Sequence, residues 1–294
     1  MRWAVVLNHR SGKAPAEQKL RDALEQAGLG SADILRVPAA MGGGSVDHTA
    51  ASCDVIVAAG GDGTVSTVAA AAARHGKTLG VIPCGTLNHF ARDAGIPLAL
   101  DEAVAVLASG HTRLLDVGDV NGHVFINNAS IGAYPRMVWE RNRAREKGLP
   151  RPLAVGLAVA RTWFDLRSIA VRLSVDGTDM IRSSPFIFVG NSEYEIEGTS
   201  IGRRTTMTDG KLSLYMAPKF DRLDALLLPA RVLLKSLERH ENFEAMAASV
   251  ITIEPSARRV AMALDGEIRT LDAPLRFTVR QNAVRTILPS QTDG

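Results

Sequence analysis

The sequence predicts a two-domain protein, with a parallel-sheet α/β domain followed by a predominantly antiparallel β domain. Its 294 residues exceed the usual length of a domain with one core. The first ~115 residues alternate strand and helix patterns, which is typical of a parallel sheet with crossover helices. After Asp116 the pattern changes to short alternating strands separated by hairpin turns, such as the turn at Asp176-Gly177.

In the first domain, each apolar strand ends in a polar or glycine-rich turn. Trp3–Leu7 is a continuous apolar strand that leads into a polar turn. The next segment predicts a helix, because Leu20, Ala23, Leu24 and Ala27 share one face and Gly28 is a stop signal. The remaining predicted elements are a strand at 34–37, a loop at 42–44, a strand at 54–59, a helix at 65–74, a strand at 79–83 and a helix at 101–109.

The second domain is predicted from short strands in which apolar and polar residues alternate. They lie at 171–175, 180–182, 186–189, 212–216, 250–253, 260–264 and 275–279, and helices interrupt them at 135–147 and 223–240. The boundary near 116–119 gives domains 1–117 and 118–294. A last strand at 284–288 is compatible with either domain.

Composition favours a globular protein in a reduced setting. The net charge of +3 and the pI near 9.0 permit contact with anionic partners, but no basic stripe interleaved with aromatics indicates nucleic acid. Cys53 and Cys84 form no metal-binding or disulfide pattern, so we expect a cytoplasmic protein. The apolar windows at 153–160 and 226–234 are too short to span a bilayer, and the N-terminus does not resemble a signal peptide.

The strongest local signal for chemistry is the run Gly60-Gly61-Asp62-Gly63-Thr64, between a buried strand and a helix. Glycines let backbone N–H groups approach phosphate oxygens, and the N-terminus of the following helix adds partial positive charge. An aspartate in such a loop would repel phosphate unless it acts through Mg²⁺ or on an acceptor hydroxyl. The alternative is a tight turn in which Asp62 caps the helix.

Two further loops follow neighbouring strands. Residues 8–13 offer Ser11 and Lys13, and residues 83–93 offer Thr86, Asn88 and Arg92. Each loop alone could be only a turn and a helix cap. Because loops at the carboxyl ends of parallel strands converge on one crevice, the three together predict a ligand site.

The chain resembles the diacylglycerol kinase catalytic-domain family of bacterial lipid kinases, which are related to sphingosine and ceramide kinases. The combination of the glycine run with the pattern PxGTxNxFAR and a late Asp-Gly-Glu is what makes the resemblance specific. The matching segments are Asn8…Ser11-Gly12-Lys13, Gly60–Thr64, Pro83…Gly85-Thr86…Asn88…Phe90-Ala91-Arg92, Asn128–Gly132, Gly190-Asn191, Asp209–Leu212 and Asp265-Gly266-Glu267.

The resemblance implies a Rossmann-like, phosphofructokinase-like nucleotide domain and a C-terminal β-sandwich that supplies part of the catalytic apparatus. It implies ATP and Mg²⁺ as cofactors. Glu267 is the implied catalytic base, with Asp62 and Asp265 beside it in the catalytic set, and Asp209 with backbone groups near Thr206 and Lys211 is the implied Mg²⁺ site. The implied nucleotide-binding residues are Asn8, Ser11, Gly12, Lys13, Gly60, Gly61, Asp62, Gly63, Thr64, Ser66, Gly85, Thr86 and Asn88. His9 stands where the family usually has proline.

The residues themselves are compatible with those roles. Asp209 precedes an alternating strand, and Asp265 and Glu267 flank a glycine after another strand. Phosphoryl transfer needs an aligned acceptor, charge neutralisation and a proton acceptor, which carboxylates and a hydrated Mg²⁺ can supply. The alternative is that each Asp-Gly pair is only a hairpin turn.

The sequence therefore predicts an ATP- and Mg²⁺-dependent kinase that phosphorylates a lipid hydroxyl, such as that of diacylglycerol, in a crevice between two domains. The rivals are a kinase of a soluble molecule such as NAD and a catalytically silent nucleotide- or lipid-binding regulator. We expect a lipid substrate at the membrane surface, peripheral contact with the inner face of the membrane, and compatibility with a homodimer. The basic segment 136–151, with Trp139, predicts membrane contact and a solvated helix equally well.

Overall fold

The structure is a computed structural model that describes residues 1–37, 43–164, 167–197, 200–204, 206–216 and 244–290. It divides into two compact units. The first comprises Met1–Val117 and the segment that begins at Arg280, and the second comprises Gly118–Val279. The strand predicted at 284–288 is therefore part of the first unit. The helix predicted at 223–240 lies outside the described residues.

The first unit is a parallel sheet with helices. Its strands are β1 (Trp3–Leu7), β2 (Asp33–Arg36), β3 (Val55–Gly60), β4 (Thr78–Pro83) and the start of β5 (Thr112–Val120). Its helices are α1 (Glu17–Gln26), α2 (Gly43–Ser52), α3 (Asp62–His75), α4 (His89–Asp93) and α5 (Leu100–Ser109). The strands pair in parallel in the order β2-β1-β3-β4. The end of the last strand pairs in parallel with β4 through Arg285 and Thr286.

Burial explains this sheet. Every residue of β3 and β4 is buried, as expected for parallel strands that are covered on both faces. Leu20 and Leu24 of α1 and Leu107 of α5 are buried in the same core as Val57. The amphipathic spacing of the sequence thus determines which face of each helix packs on the sheet.

The second unit is a β-sandwich with a helical hairpin. Its strands are the end of β5, β6 (His123–Phe125), β7 (Asn128–Gly132), β8 (Ile169–Val175), β9 (Thr178–Ser184), β10 (Phe186–Asn191), β11 (Tyr194–Glu197), β12 (Ser200–Arg204), β13 (Leu212–Met216), β14 (Glu244–Ala248), β15 (Val250–Pro255), β16 (Arg259–Leu264), β17 (Glu267–Asp272) and the start of β18 (Leu275–Ile287). Its helices are α6 (Ala133–Glu146) and α7 (Arg151–Phe164).

Two antiparallel sheets enclose the core of this unit. One has the order β14-β13-β10-β7-β16-β17, and in the other β18 pairs with β15, β15 with β8 and β8 with β9. Leu173, Ile253 and Phe277 from the second sheet are buried in one cluster with Ile131 and Leu214 from the first. This confirms the predicted α/β plus β-sandwich fold class.

Three local predictions from the sequence were wrong. Residues 43 and 44 begin helix α2 rather than lying in a loop, because Val46 and Ala50 of that helix are buried although its glycine-rich start favours no helix. The apolar window at 153–160 lies within helix α7, which the sequence did not predict as an element. Helix α3 begins at Asp62, three residues before the predicted start.

Candidate active site

The loops that follow β1, β3 and β4 are joined to one another by hydrogen bonds. The Gly61 N–H donates to Ser11 Oγ (3.1 Å), and Asn8 Nδ2 donates to Thr64 Oγ1 (3.1 Å). The backbone N–H of Lys13 donates to the carbonyl oxygen of Cys84 (2.9 Å). The predicted convergence of the three loops is therefore present within the first unit.

The loops approach each other backbone to backbone, because the residues at their contact have no side chain. A Cβ atom on Gly85 would lie 2.7 Å from the Cα atom of Gly61. A Cβ atom on Gly60 would lie 2.4 Å from Thr64 Oγ1. Both distances are shorter than real Cβ contacts, so Gly60 and Gly85 have a packing reason for being glycine, apart from any ligand.

Asp62 connects the second loop to the third. It is the first residue of α3, and its Oδ1 atom accepts a hydrogen bond from the backbone N–H of Phe90 (3.3 Å). The cap of α3 is Gly61, which makes no side-chain capping bond. Asp62 therefore holds the start of α4 rather than capping its own helix.

Asn88 closes the third loop on itself. Its Oδ1 atom accepts from the Gly85 N–H (2.8 Å), and its Nδ2 atom donates to the Gly85 carbonyl oxygen (3.1 Å). Asn88 has a φ of 52°, a left-handed conformation that asparagine tolerates better than most residues. Its amide shapes the loop and leaves Thr86 exposed. The predicted contact between Asn88 and a nucleotide stays a prediction.

In the second unit, Asp265 accepts three backbone hydrogen bonds. Its Oδ2 atom accepts from the Ile126 N–H (2.8 Å), and its Oδ1 atom accepts from the N–H groups of Asn127 (2.8 Å) and Asn128 (3.0 Å). Asp265 and Gly266 form the two-residue loop of the β16–β17 hairpin, in which Leu264 pairs with Glu267. Asp265 and Gly266 therefore form the hairpin turn that the sequence offered as the alternative role for this pair. The Asp265 carboxylate also anchors the start of β7 through the N–H of Asn128.

Glu267 lies at the start of β17, beside that turn. About half of its side chain is exposed (47%), and its Oε2 atom lies 3.7 Å from Nη2 of Arg269. Desolvation by the surrounding protein raises the pKa of the Glu267 carboxyl, and the charge of Asp265 raises it further. The charge of Arg269 acts in the opposite direction. A carboxylate with a raised pKa is a better proton acceptor near neutral pH than an ordinary glutamate.

Asp209 lies in a turn before β13. Its Oδ1 atom accepts from the Lys211 N–H (3.2 Å), and its Oδ2 atom accepts from the Glu193 N–H (3.3 Å). The Thr206 and Thr208 hydroxyls lie 3.2 Å apart in the same turn. The carbonyl oxygen of Lys211 accepts from the Ser192 N–H. This turn gathers carboxylate, hydroxyl and carbonyl oxygens.

A buried polar network around Ile126 and Asn127 was missed by the sequence analysis. Arg204 is buried and donates to the carbonyl oxygen of Ile126 (2.6 Å) and to Oδ1 of Asn127 (3.2 Å). Asn191 Nδ2 donates to the Ile126 carbonyl oxygen as well (3.1 Å). The sequence did single out Asn191, because the pair Gly190-Asn191 is one of the segments that resemble the lipid-kinase family. Arg204 is one of two adjacent arginines at the end of β12, and no motif in the sequence indicated that it would be buried.

Within the ranges that the structure describes, no three His, Cys, Asp or Glu side chains are grouped as metal ligands. No helix among the same residues is long and apolar enough to cross a membrane. A metal ion held by the described residues alone would therefore depend on few carboxylates, as Mg²⁺ commonly does.

Joined glycine-rich loops on a parallel-sheet unit, together with a second unit built as a β-sandwich, are the features expected of a two-domain kinase. Family models agree with that class. A model described as the diacylglycerol kinase catalytic domain matches residues 2–120, and one described as the YegS C-terminal NAD kinase beta sandwich-like domain matches residues 134–288. The chain belongs to the YegS-type family of proteins with a diacylglycerol kinase catalytic domain.

Relatives support the same assignment. The chain is 32% identical over 246 residues to a Pectobacterium atrosepticum protein named "Probable lipid kinase YegS-like", covering 81% of this chain and 79% of that protein. It is 27% identical over 226 residues to a diacylglycerol kinase of Staphylococcus aureus, covering 74% and 71% of the two chains. The crystal structure of a diacylglycerol kinase from Bacillus anthracis shares the fold, with a TM-score of 0.70, 20% identity and coverage of 98% and 97%.

Proposed function

We propose that the protein transfers the γ-phosphoryl group of ATP, in the presence of Mg²⁺, to a hydroxyl group of a membrane lipid of the diacylglycerol class. The observation that carries the proposal is the joining of three loops at the carboxyl ends of β1, β3 and β4. It is supported by the family assignment and by the relatives named diacylglycerol kinase.

The first unit would bind the nucleotide phosphates. Gly61 and Gly63 are half-buried and have no side chain at the N-terminus of α3, where the helix dipole favours an anion. Lys13 is exposed in the neighbouring loop and contributes a cation. Thr86, at the tip of the third loop, offers a hydroxyl and a backbone N–H. The anionic Asp62 is compatible with this site, because its carboxylate is already turned toward the N–H of Phe90.

The second unit would supply the proton acceptor. Glu267 is partly exposed, so it is accessible to an acceptor hydroxyl, and its raised pKa suits it to take up the hydroxyl proton. Asp265 would act as a positioning residue. Its carboxylate anchors the hairpin that carries Glu267 through the N–H groups of Ile126, Asn127 and Asn128.

Mg²⁺ fits the oxygen-rich turn around Asp209. The turn offers one carboxylate and the hydroxyls of Thr206 and Thr208, the hard oxygen ligands that Mg²⁺ prefers alongside water. Bound there, Mg²⁺ would order the turn around Asp209 through that carboxylate and through its own water ligands. Lys211 would take part through its backbone, because its N–H already fixes the Asp209 carboxylate.

The decisive assay supplies the purified protein with radiolabelled ATP, Mg²⁺ and dioleoylglycerol in mixed micelles. We expect a labelled phospholipid whose formation stops when Mg²⁺ is chelated. Glu267→Gln and Asp62→Asn should each reduce turnover at least a hundredfold, within the range of general-base and positioning effects. Glu254→Gln is the matched control, because Glu254 is an exposed strand glutamate outside the site. Undiminished transfer by Glu267→Gln would contradict the base assignment.

A soluble acceptor is the second candidate. It is favoured by the description of the matched second-domain family as NAD kinase beta sandwich-like. The same assay with NAD and no lipid or detergent tests it, and phosphorylation of NAD but not of dioleoylglycerol would decide in its favour. Binding of ATP without transfer to any acceptor would instead favour a regulator.

A further inference from the structure

The segment 126–128 leads from β6 into β7, and the hydrogen bonds of its backbone come from distant parts of the second unit. The Asp265 carboxylate accepts from all three N–H groups of the segment. The N–H of Asp265 donates to the carbonyl oxygen of Asn128 (2.8 Å). The other two carbonyl oxygens, of Ile126 and Asn127, accept from residues of later strands. The conformation of the segment is therefore fixed by both sets of partners.

Arg204, at the end of β12, is the charged member of the second set. Its Nη1 atom donates to the Ile126 carbonyl oxygen (2.6 Å), and its Nη2 atom donates to Oδ1 of Asn127 (3.2 Å). The guanidinium lies 6.0 Å from the centre of the Tyr194 ring, and the Tyr194 hydroxyl donates to the Asn127 carbonyl oxygen (2.9 Å). Arg204 and Tyr194 thus bond to the same two neighbouring residues.

Stability alone is a weak reason for an arginine at this position. Arg204 is 6% exposed, and a guanidinium is costly to remove from water, so an apolar side chain often stabilises a buried position as well as an ion does. The Ile126 carbonyl oxygen also accepts from Asn191 Nδ2, so it keeps a donor without Arg204. A planar guanidinium adds geometry, because its fixed donors hold a backbone oxygen and a side-chain oxygen of adjacent residues in one arrangement.

The segment that Arg204 holds is the one that fixes the start of β17. Asp265 occupies the turn before Glu267, and Leu264 pairs with Glu267 across that turn. The Glu267 side chain is about half exposed (47%), so the position of its carboxylate depends on the backbone that carries it. A displacement of residues 126–128 would move the partners of Asp265 and, with them, Glu267.

We propose that Arg204 is a positioning residue for phosphoryl transfer, which acts through residues 126–128 and Asp265 to fix the carboxylate of Glu267. The inference rests on the proposed function, in which Glu267 accepts the proton of the acceptor hydroxyl. Arg204 is too deeply buried to touch that acceptor itself. A proton acceptor must lie within hydrogen-bond reach of the hydroxyl, and a misplacement of about 1 Å can reduce the rate about 100-fold.

Arg204→Met tests the role directly, because methionine fills much of the space and donates no hydrogen bond. In the micelle assay with dioleoylglycerol, kcat should fall about 10- to 100-fold, while the KM for ATP stays within about twofold. The KM should be spared because the proposed nucleotide loops belong to the first unit. The variant should fold, since Asn191 still donates to the carbonyl oxygens of Ile126 and Asn127. An unchanged kcat would overturn the inference.

A core variant separates positioning from lost stability. Leu173→Ala removes a fully buried side chain from the β-sandwich core and leaves the polar segment intact. Both variants are assayed at a temperature at which thermal unfolding shows them to be folded. We expect Leu173→Ala to keep the kcat of the unmodified protein although its melting temperature falls. Equal losses of kcat in the two variants would assign the effect to stability and overturn the inference.

A double-mutant cycle identifies the residue through which Arg204 acts. In a Glu267→Gln background, Arg204→Met should reduce kcat by less than about threefold further, because the group that it positions is already gone. In a Ser11→Ala background the full loss should remain, because Ser11 belongs to the first unit. Full loss in both backgrounds would show that Arg204 does not act through Glu267.

Two tyrosines give a milder matched pair. The rings of Tyr194 and Tyr215 both lie about 6 Å from the ring of Phe188, at 6.1 and 6.0 Å. The Tyr194 hydroxyl bonds to Asn127, whereas the Tyr215 hydroxyl donates to the carbonyl oxygen of Tyr194 (3.3 Å). Tyr194→Phe should lower kcat roughly threefold and Tyr215→Phe should not, since only the first loses a bond to the segment. Equal effects would contradict a specific role of the segment.

Hydrogen exchange measures the same contact without turnover. Peptides that contain residues 126–128 and 265–267 should exchange at least about tenfold faster in Arg204→Met, with no change in the first unit. Unchanged exchange in those peptides would contradict the link between Arg204 and the turn. If the unmodified protein transfers phosphate and Arg204→Met does so equally well, this inference alone fails. If the unmodified protein transfers phosphate to no acceptor, the proposed function fails, and this inference fails with it.

Discussion

The hydroxyl of Ser11 accepts a hydrogen bond from the backbone N–H of Gly61 at 3.1 Å, although the two residues are 50 positions apart in the chain. The bond joins the loop after β1 to the loop after β3. Each loop of the candidate site therefore depends on its neighbours for its conformation, and changes in one loop should alter the others.

Ser11→Ala should lower the free energy of unfolding by about 1 kcal/mol, because the N–H of Gly61 loses its acceptor. If the loops bind nucleotide as proposed, the KM for ATP should also rise. Urea denaturation and steady-state kinetics measure the two effects. The control is Ser109→Ala, whose hydroxyl donates to the Val106 carbonyl oxygen within its own helix. An equal rise in KM in the control would contradict a specific role for Ser11.

Gly85→Ala should destabilise the protein by roughly 1–3 kcal/mol, because the new methyl group would lie 2.7 Å from both Gly61 Cα and Asn88 Oδ1. Gly44→Ala is the matched control, because a Cβ atom there would meet no described atom within 4 Å beyond its chain neighbours and the backbone of helix α2. We expect that variant to be neutral or slightly stabilised. Thermal unfolding compares the two, and similar melting temperatures would show that the loops do not pack as described.

Asp265→Asn should lower the free energy of unfolding by about 2–3 kcal/mol, because a buried charged acceptor of three N–H groups is lost. Asp176→Asn is a close match: Asp176 also precedes glycine in a hairpin, has a φ of 46° against 47° for Asp265, and accepts from Ser249 and Val250, but is exposed. Its cost should stay within about 1 kcal/mol. Equal losses in urea denaturation would contradict a special role for the buried carboxylate.

The raised pKa of Glu267 predicts a pH dependence. If ionised Glu267 is the base, turnover should fall as pH decreases through this pKa, at a higher pH than an ordinary glutamate with a pKa near about 4.3 would give. Arg269→Gln removes a charge that lowers this pKa, so the acid limb of the pH–rate profile should move to higher pH. A limb that does not move would show that another group sets it.

The same raised pKa sets the sign of a stability effect. The contribution of this carboxyl to stability is fully present below its unfolded-state pKa and is lost as pH rises through the folded-state pKa. At neutral pH its ionisation therefore opposes folding, and Glu267→Gln should not destabilise the protein. Lost activity in that variant can then be attributed to chemistry rather than to unfolding.

Both cysteines should be unreactive in the folded protein. Burial raises the pKa of the Cys84 thiol to about 11 and also raises the pKa of the Cys53 thiol, so little thiolate forms near pH 8. A colorimetric thiol reagent should label neither residue in native protein and both in urea. Rapid labelling of native protein would contradict the buried position of Cys84 beside the third loop.

Much of the first unit could be predicted from the sequence because its signals are local. Continuous apolar runs mark β3 and β4, and the glycine run after β3 marks a strand-to-helix turn. The three loops could be placed at one edge of the sheet because parallel strands end on the same side. The hairpin turns at Asp176 and Asp265 could also be predicted from the sequence, because an aspartate before glycine favours the left-handed conformation that such turns need.

Other features depend on contacts between residues far apart in the chain. Helix α2 begins in glycines and is held by burial of Val46 and Ala50, which local propensity does not encode. The carboxylate of Asp62 bonds to Phe90 rather than capping α3, and Arg204 is buried against Ile126 and Asn127. In helix α7, the burial of Ala154 and Ala158 and the exposure of Leu153 became evident only in the structure.

The sequence by itself determined the fold class, the family and the identity of the candidate site residues. The reason is that apolar periodicity and short motifs involve residues that are close together along the chain. Tertiary structure alone decided what each polar group bonds to, which glycines are required for packing and in which direction the pKa of Glu267 is displaced. The physical reason is that hydrogen bonding, steric contact and desolvation depend on distances in space, and the chain brings residues such as Asn127 and Asp265 together only when it folds.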